Sequence, residues 1–293
     1  MAHQTIQKIA FIFGLGFVGV ECARLLMADG WEVRATTRTG TWDKPYASLP
    51  EGVKLFAFAD VDGEALGGAT HIISTIAPVT GEDIVLPLLD RYLNNKNLWA
   101  GYVSATSVYS EADGGWVRET SPTKPVSQRG KNRLRAEDAW QKEYQAEVFR
   151  AAGIYGRGRS VFDKLRGDTP RIIVKPGHFF NRIHVHDLAR VIMAGLHNPS
   201  PNRIVNCADG NPCEAGDVVR YASGLLGVAP PPEVAFADAD MSDMARSFYA
   251  TSRKVDSSRI KTELGIDLLY PDYQKGLVAV LEAERDYGAA ERT

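Results

Sequence analysis

Short β-branched runs at residues 8–13, 32–37, 53–58, 70–76, 98–104 and 146–151 alternate with stretches whose apolar positions recur every three or four residues. Between the first two runs, Val18, Cys22, Leu25 and Leu26 lie at helical spacing. Between the fourth and fifth, Ile84, Val85, Leu88, Leu89 and Tyr92 do the same, and residues 131–144 form a third helical stretch ahead of the sixth run. Strands alternating with helices predict an α/β fold, a doubly wound parallel sheet covered on both faces.

The texture changes at Gly156. Gly156, Gly158, Gly167, Pro170, Pro176 and Gly177 punctuate the chain, and the strands become short. A strand at 182–185 leads into a helix at 187–197 with Asp187 placed as its N-cap. A strand at 203–207 and a helix at 214–226 follow, the helix closed by Gly227. Pro230, Pro231 and Pro232 mark a stiff connector, residues 256–264 a helix stopped by Gly265, and residues 273–287 a closing helix. This half predicts a smaller C-terminal lobe.

Composition narrows the class. A chain of 293 residues with 34 Lys+Arg against 36 Asp+Glu carries a net charge of −2. Such a balance argues against nucleic acid as a partner and offers no polybasic anchor for a membrane surface. At 44% hydrophobic and 24% charged, the chain reads as an ordinary globular protein. Its three cysteines, Cys22, Cys207 and Cys213, form no CxxC pair and leave one over, which suits a reducing compartment and predicts a cytoplasmic location. The uncharged run from Ile9 to Val20 imitates a signal-peptide core, but it is too short to span a bilayer and holds three spaced glycines.

Those glycines form Gly14-Leu15-Gly16-Phe17-Val18-Gly19, set between an apolar strand and an amphipathic helix, the context a Rossmann fingerprint requires. One glycine permits the tight turn, the next lets backbone amides approach a pyrophosphate, and the third lets helix and strand pack closely. The helix N-terminus adds about half a positive charge. The alternative is a tight turn with a purely structural role. On the dinucleotide reading, residues 6–155 plus about 183–208 form the dinucleotide-binding domain, and 156–182 plus about 209–293 a substrate lobe.

The second strand bears on which dinucleotide is held. A site for NAD usually ends this strand with an acid that holds the ribose 2′-hydroxyl. Here it ends Thr36-Thr37-Arg38-Thr39, with no acid. Thr37 and Arg38 can hold a 2′-phosphate instead, and one charge-assisted bond of about 1.5–3 kcal/mol favours NADP over NAD by roughly 10- to 150-fold. The alternative is a solvated loop arginine, with NAD as the cofactor. Asp60 and Val61 are placed near the adenine, and Thr75, Ile76 and Ala77 near the nicotinamide ribose.

Three further segments carry a resemblance. Val103-Ser104-Ala105-Thr106-Ser107-Val108-Tyr109 resembles the fifth-strand Ser-Ser-x-x-Val-Tyr-Gly segment of the extended short-chain dehydrogenase/reductases, the NAD(P)-dependent epimerase/dehydratase-like proteins. Arg150 with Gly153-Ile154-Tyr155-Gly156-Arg157-Gly158 resembles their Arg-x-x-x-[IV]-Tyr-Gly-Pro-Gly loop, and Ile183-His184-Val185-His186-Asp187-Leu188-Ala189 their Ile-His-Val-x-Asp-Leu-Ala segment. The resemblance spans Gly14 to Leu264 and implies an oxidoreductase or epimerase acting on a small-molecule substrate; a homodimer is compatible with it.

The departures bear on mechanism. The family's catalytic set is a Ser/Thr with Tyr-x-x-x-Lys, in which the tyrosine shuttles the proton that accompanies hydride transfer. Aligning on Glu137 puts Arg129 in the tyrosine's place and Arg133 in the lysine's. Aligning on Val108-Tyr109 puts Ala105 at the serine, with Thr106 beside it as a substitute. The pattern resembles an atypical branch that keeps the cofactor site and lacks the tyrosine. Thr106, Arg129 and Arg133 are therefore the candidate catalytic residues. Arg129 and Arg133, four apart, share a helix face and make a carboxylate or phosphate site if they face the cofactor. Otherwise they lie on a solvated face beside Lys131 and Arg135.

Tyr109 and Tyr155 are candidates for a displaced proton donor. The literal Tyr92-x-x-x-Lys96 lies on the wrong helix. His184 and His186 are two apart and suit structural roles better than a metal, so no metal is expected. Two functions remain open. The first is an NADP(H)-dependent oxidoreductase or epimerase with an altered catalytic set; the second is a non-catalytic NADP(H)-binding sensor or scaffold.

Overall fold

A computed structural model describes residues 8–78, 81–93, 97–110 and 113–290. Lys96 of the literal Tyr-x-x-x-Lys pair therefore lies outside the described residues, as do the domain ends at 6–7 and 291–293. Seven strands form one parallel sheet: β1 (Ile9–Phe13), β2 (Glu32–Thr37), β3 (Lys54–Ala57), β4 (His71–Ser74), β5 (Trp99–Ala105), β7 (Glu147–Ala151) and β11 (Ile204–Cys207). Their order is β3-β2-β1-β4-β5-β7-β11, so chain direction across the sheet reverses beside β1. The C-terminal ends of β1 and β4 form the switch point where such folds bind ligands. The registers Ala10 to Val33 and Ala10 to His71 hold β1 between its neighbours.

Alternation along β1 explains its unbroken apolar run. Ala10 and Ile12 face the layer of α1 (Phe17–Ala28) and α6 (Val185–His197), with Cys22, Leu26, Leu188 and Ile192. Phe11 and Phe13 face the opposite layer of α3 (Leu86–Tyr92) and α4 (Gln128–Tyr144), with Leu89, Ala136 and Trp140. A strand buried on both faces has no polar side to show. The short α2 (Gly63–Leu66) sits between β3 and β4.

The remaining strands pair two by two: β8 (Gly153–Tyr155) with β10 (Arg182–His184), β9 (Ile172–Val174) with β12 (Glu233–Ala235), and β6 (Trp116–Val117) with β13 (Lys254–Val255). The helices α5 (Val161–Leu165), α7 (Ala215–Leu226) and α10 (Tyr273–Ala290) share a separate apolar cluster around Phe162, Val218, Ala222, Tyr273 and Leu277. Two short helices, α8 (Asp243–Ser247) and α9 (Arg259–Thr262), complete the C-terminal part. Among the described residues no helix is long and apolar enough to cross a membrane.

Three local expectations are corrected. The N-cap of α6 is His184, whose Nδ1 accepts the His186 N–H at 3.3 Å. Asp187 sits inside the first turn, fully buried, where its carboxylate accepts the N–H groups of Leu269 and Tyr270 at 2.9 and 2.7 Å and pairs with Arg190 at 2.9 Å. The helix placed at 256–264 is only the single turn of α9, since the Asp256 carboxylate takes the Ser258 N–H in a local turn. Helix α4 begins at Gln128, three residues earlier than expected, because the Ser127 hydroxyl caps the Gly130 N–H at 3.1 Å.

Candidate functional site

The turn between β1 and α1 is held from both neighbouring strands. Gly14 has φ +88°, a conformation costly to other residues. Its N–H donates to the buried Thr36 hydroxyl at 3.0 Å, and its carbonyl accepts from the Thr75 hydroxyl at 2.6 Å. A Cβ on Gly14 would lie 2.8 Å from Thr75 Oγ1, and one on Gly19 would lie 2.5 Å from the Gly14 carbonyl. Gly16 differs: nothing stands within 4 Å of where its Cβ would be. It is also the N-cap of α1, and no side chain caps that end. Open space therefore faces an uncapped helix N-terminus, which suits a pyrophosphate. Leu15 and Val18 are buried in the core, whereas Phe17 is half-buried at the helix start.

Around this turn lie the other expected residues. Arg38 is exposed just past β2 and makes no ion pair or hydrogen bond with a described residue. The Thr37 hydroxyl donates to the Thr41 carbonyl at 3.1 Å, so its proton is engaged within the loop. Asp60 is exposed at the end of a 3₁₀ turn past β3, and Val61 is buried. Thr75 and Ile76 are half-buried and Ala77 is exposed past β4. The Thr36 contribution went unrecognised from sequence; a threonine on a strand has no spacing signature of its own.

At the end of β5, Thr106 opens a 3₁₀ turn and is half-buried. The first turn of α4 sits directly on it: a Cβ on Gly130 would collide with the Ser107 carbonyl and approach Pro125 Cβ to 2.6 Å. This close approach brings Arg133 against β5, where its guanidinium donates to the Val103 carbonyl and lies 3.5 Å from the Tyr102 hydroxyl. Arg129 points elsewhere. It is exposed, and its guanidinium lies 5.5 Å above the Phe248 ring, just past α8. A third arginine joins the group, Arg253, which is largely buried and donates to the Thr106 carbonyl at 3.1 Å. Because 147 positions separate the two, no local pattern could reveal the contact.

The two tyrosines considered as proton donors are buried. Tyr109 donates to Asn206 Oδ1 at 2.5 Å and lies under Arg150, whose guanidinium is 4.9 Å from its ring; burial pushes its hydroxyl above the usual tyrosine range. Arg150 pairs with Glu137 at 2.7 Å, and Glu137 also accepts from Ser104, so this polar chain is a buried brace. The Tyr155 hydroxyl is buried with no hydrogen-bond partner among the described residues, and desolvation raises its pKa further. His184 is pushed down to about 4 by burial and stays neutral, while His186 faces Glu21 at 3.3 Å. Among the described residues no group of three His, Cys, Asp or Glu side chains could hold a metal ion. A cavity of about 250 Å³ lies beside the turn, on the α1 stripe of Phe17, Val20, Glu21 and Arg24. Of its polar side chains, Glu21 pairs with both Arg24 and His186.

No protein-family model matches the sequence. Protein YeeZ of Escherichia coli K12 is 29% identical over 287 residues, covering 91% of this chain and 97% of its own. A functionally unknown conserved protein from Silicibacter pomeroyi DSS is 39% identical, with a TM-score of 0.88 over 94% of this chain and 99% of that one. A dTDP-glucose 4,6-dehydratase of Bacillus anthracis, solved with NAD, superposes with a TM-score of 0.75 over 95% of this chain and 97% of its own at 16% identity, a likeness of fold. With a parallel sheet of the same Rossmann type and a 39% identical relative matched over nearly its whole length, the chain belongs to one family with the Silicibacter pomeroyi protein, on the fold seen in that NAD-bound dehydratase.

Proposed function

We propose that the protein is an NADP(H)-dependent oxidoreductase or epimerase of the extended short-chain dehydrogenase/reductase type, acting on a small anionic substrate with an altered catalytic set. The observation that carries this reading is the open space in front of Gly16 at the uncapped start of α1, flanked by two glycines that have no room for a side chain. The residues present fit a nicotinamide dinucleotide. The backbone amides of Phe17 and Val18 would hold the pyrophosphate, since the Gly16 N–H is taken by the Gly14 carbonyl; Arg38 would hold the 2′-phosphate, and the segments Asp60–Val61 and Thr75–Ala77 would flank the two nucleosides. The nicotinamide supplies hydride donation or acceptance when bound.

The chain's own side chains supply orientation and charge. Arg129 and Arg133 stand in the places of the family's tyrosine and lysine. Arginine keeps its proton at any working pH, so neither can shuttle one. Loss of general acid–base catalysis typically costs 10²–10⁴-fold, about 3–5 kcal/mol of barrier. Positioning and electrostatic stabilisation remain available. Stacked on Phe248, Arg129 keeps the edge of its guanidinium free to take a carboxylate or phosphate in a bidentate pair. Arg133, whose guanidinium donates to the Val103 carbonyl of β5, would add positive charge for a developing alkoxide, and Thr106, in the turn that follows β5, would supply a hydroxyl.

A panel of carbonyl, imine and sugar-acid substrates assayed for change in cofactor absorbance tests this reading. The expected result is turnover on an anionic member, with Arg129→Ala raising KM by about 10- to 150-fold, the worth of one charge-assisted contact. Absence of turnover together with unaltered ligand binding in Arg129→Ala would overturn it. A second reading, a non-catalytic NADP(H)-binding sensor, is favoured by the burial of both nearby tyrosines. It predicts cofactor binding without turnover and a protein partner whose affinity differs between the oxidised and reduced forms.

A further inference from the structure

The loop after β8 reads Gly156-Arg157-Gly158-Arg159 and closes on itself, with Gly156 and Arg159 exchanging backbone hydrogen bonds at 3.1 and 3.0 Å. Both glycines are needed for its seat. A Cβ on Gly156 would lie 2.7 Å from Val185 Cγ1 and 3.2 Å from Phe17 Cζ, and one on Gly158, at φ +73°, would lie 2.6 Å from Tyr46 Cβ. The turn is thereby pressed onto Phe17, the first residue of α1, and onto the loop that follows β2. Its two arginines have different fates. Arg157 is spent on structure: it donates to the Tyr46 carbonyl and stacks 3.8 Å over the Tyr287 ring. Arg159 is exposed, its guanidinium makes no ion pair or hydrogen bond with a described residue, and it lies 5.6 Å from the Phe17 ring.

We propose that Arg159 is a phosphate clamp: it reaches over Phe17 and pairs with the pyrophosphate of a dinucleotide seated on the Gly14–Gly19 turn. The inference rests on the cofactor reading above and adds a cation from the C-terminal part of the chain to a site otherwise built from the start of α1 and the segments that follow β1, β2, β3 and β4. Two features make Arg159 suited to the task. A guanidinium offers two parallel N–H donors to a phosphate, and its seat above the first residue of α1 adds its charge to the helix dipole. Its backbone is already fixed by the turn, so mainly side-chain freedom is lost on binding. The clamp also ties cofactor occupancy to the loop that follows β8, linking the dinucleotide to the C-terminal lobe.

The test is a fluorescence titration of the full chain with NADPH and, separately, with NADH, for wild type, Arg159→Ala, Arg159→Lys and Arg38→Ala. Arg159→Ala is expected to weaken both dinucleotides by a similar factor, about 10- to 150-fold, and Arg159→Lys by less. Arg38→Ala is expected to weaken NADPH alone. Because Arg159 is exposed, its variants should melt as wild type does, and a melt on each checks this. Unchanged binding of both dinucleotides by Arg159→Ala, with wild-type binding intact, would overturn the clamp and leave the cofactor reading standing. A loss confined to NADPH would move the contact to the 2′-phosphate and overturn the pyrophosphate assignment. A wild-type chain that binds neither dinucleotide would overturn the cofactor reading and the clamp with it.

Discussion

Asp209 lies just past β11 and is only 5% exposed. Oδ1 accepts the Asn211 N–H at 3.1 Å, while Oδ2 has no hydrogen-bond partner among the described residues. Desolvation dominates and raises its pKa from 3.8 to about 7. Below pH 4 the carboxyl is protonated in both folded and unfolded chains, and the site costs nothing. As pH rises from 4 to 7 the unfolded chain ionises first, so stability falls, and above pH 7 the full loss is present. At 1.36 kcal/mol for each tenfold change in proton activity, that loss amounts to roughly 4 kcal/mol. Asp209→Asn keeps the acceptor for Asn211 and removes the charge. Urea unfolding of both chains between pH 4 and pH 8.5 should show nearly equal stability at the acid end. The variant should then gain by a few kcal/mol at the alkaline end. Parallel curves, or a variant less stable than wild type above pH 7, would refute the assignment of a desolvated, unpaired carboxylate.

Other substitutions separate architecture from binding. Gly16→Ala should fold with a stability loss of at most about 1 kcal/mol, the scale of a cap exchange, yet weaken dinucleotide binding, as read by a thermal melt beside a titration. Gly19→Ala should instead lower the melting temperature, because its Cβ meets the Gly14 carbonyl and relief of such overpacking costs about 1–3 kcal/mol. Glu137→Ala should destabilise by about 3–5 kcal/mol in urea, since it strands the buried Arg150 guanidinium. Wild-type stability in Phe248→Ala, with weaker binding of the anionic substrate, would show that the ring's role is to hold Arg129 in place.

The sheet was legible because its signal is local and repeated. Phe11 and Phe13 alternate with Ala10 and Ile12, and each set meets its own helix layer. The glycine turn was legible because its three positions lie within six residues, with Gly14 and Gly19 crowded by their neighbours and Gly16 facing open space. What escaped depended on distant chain. Asp187 looked like an N-cap, but its carboxylate serves backbone N–H groups 82 and 83 positions away. Residues 182–185 looked like one more strand, and β10 does form, but it pairs with β8 outside the main sheet. Arg129 and Arg133 share a helix face as expected, yet one turns to Phe248 and the other to Val103, because Gly130 seats α4 directly against the turn after β5. Arg253 reaches Thr106 from the far end of the sequence, and nothing in its neighbours announces it.

The proposed function stands or falls on whether the space in front of Gly16 receives a nicotinamide dinucleotide. A titration of the wild-type chain with NADPH and with NADH, followed by nicotinamide fluorescence, tests it most directly. Saturable binding at one site per chain is expected, tighter for NADPH through Arg38. Absence of saturable binding for both dinucleotides by a folded chain would contradict it.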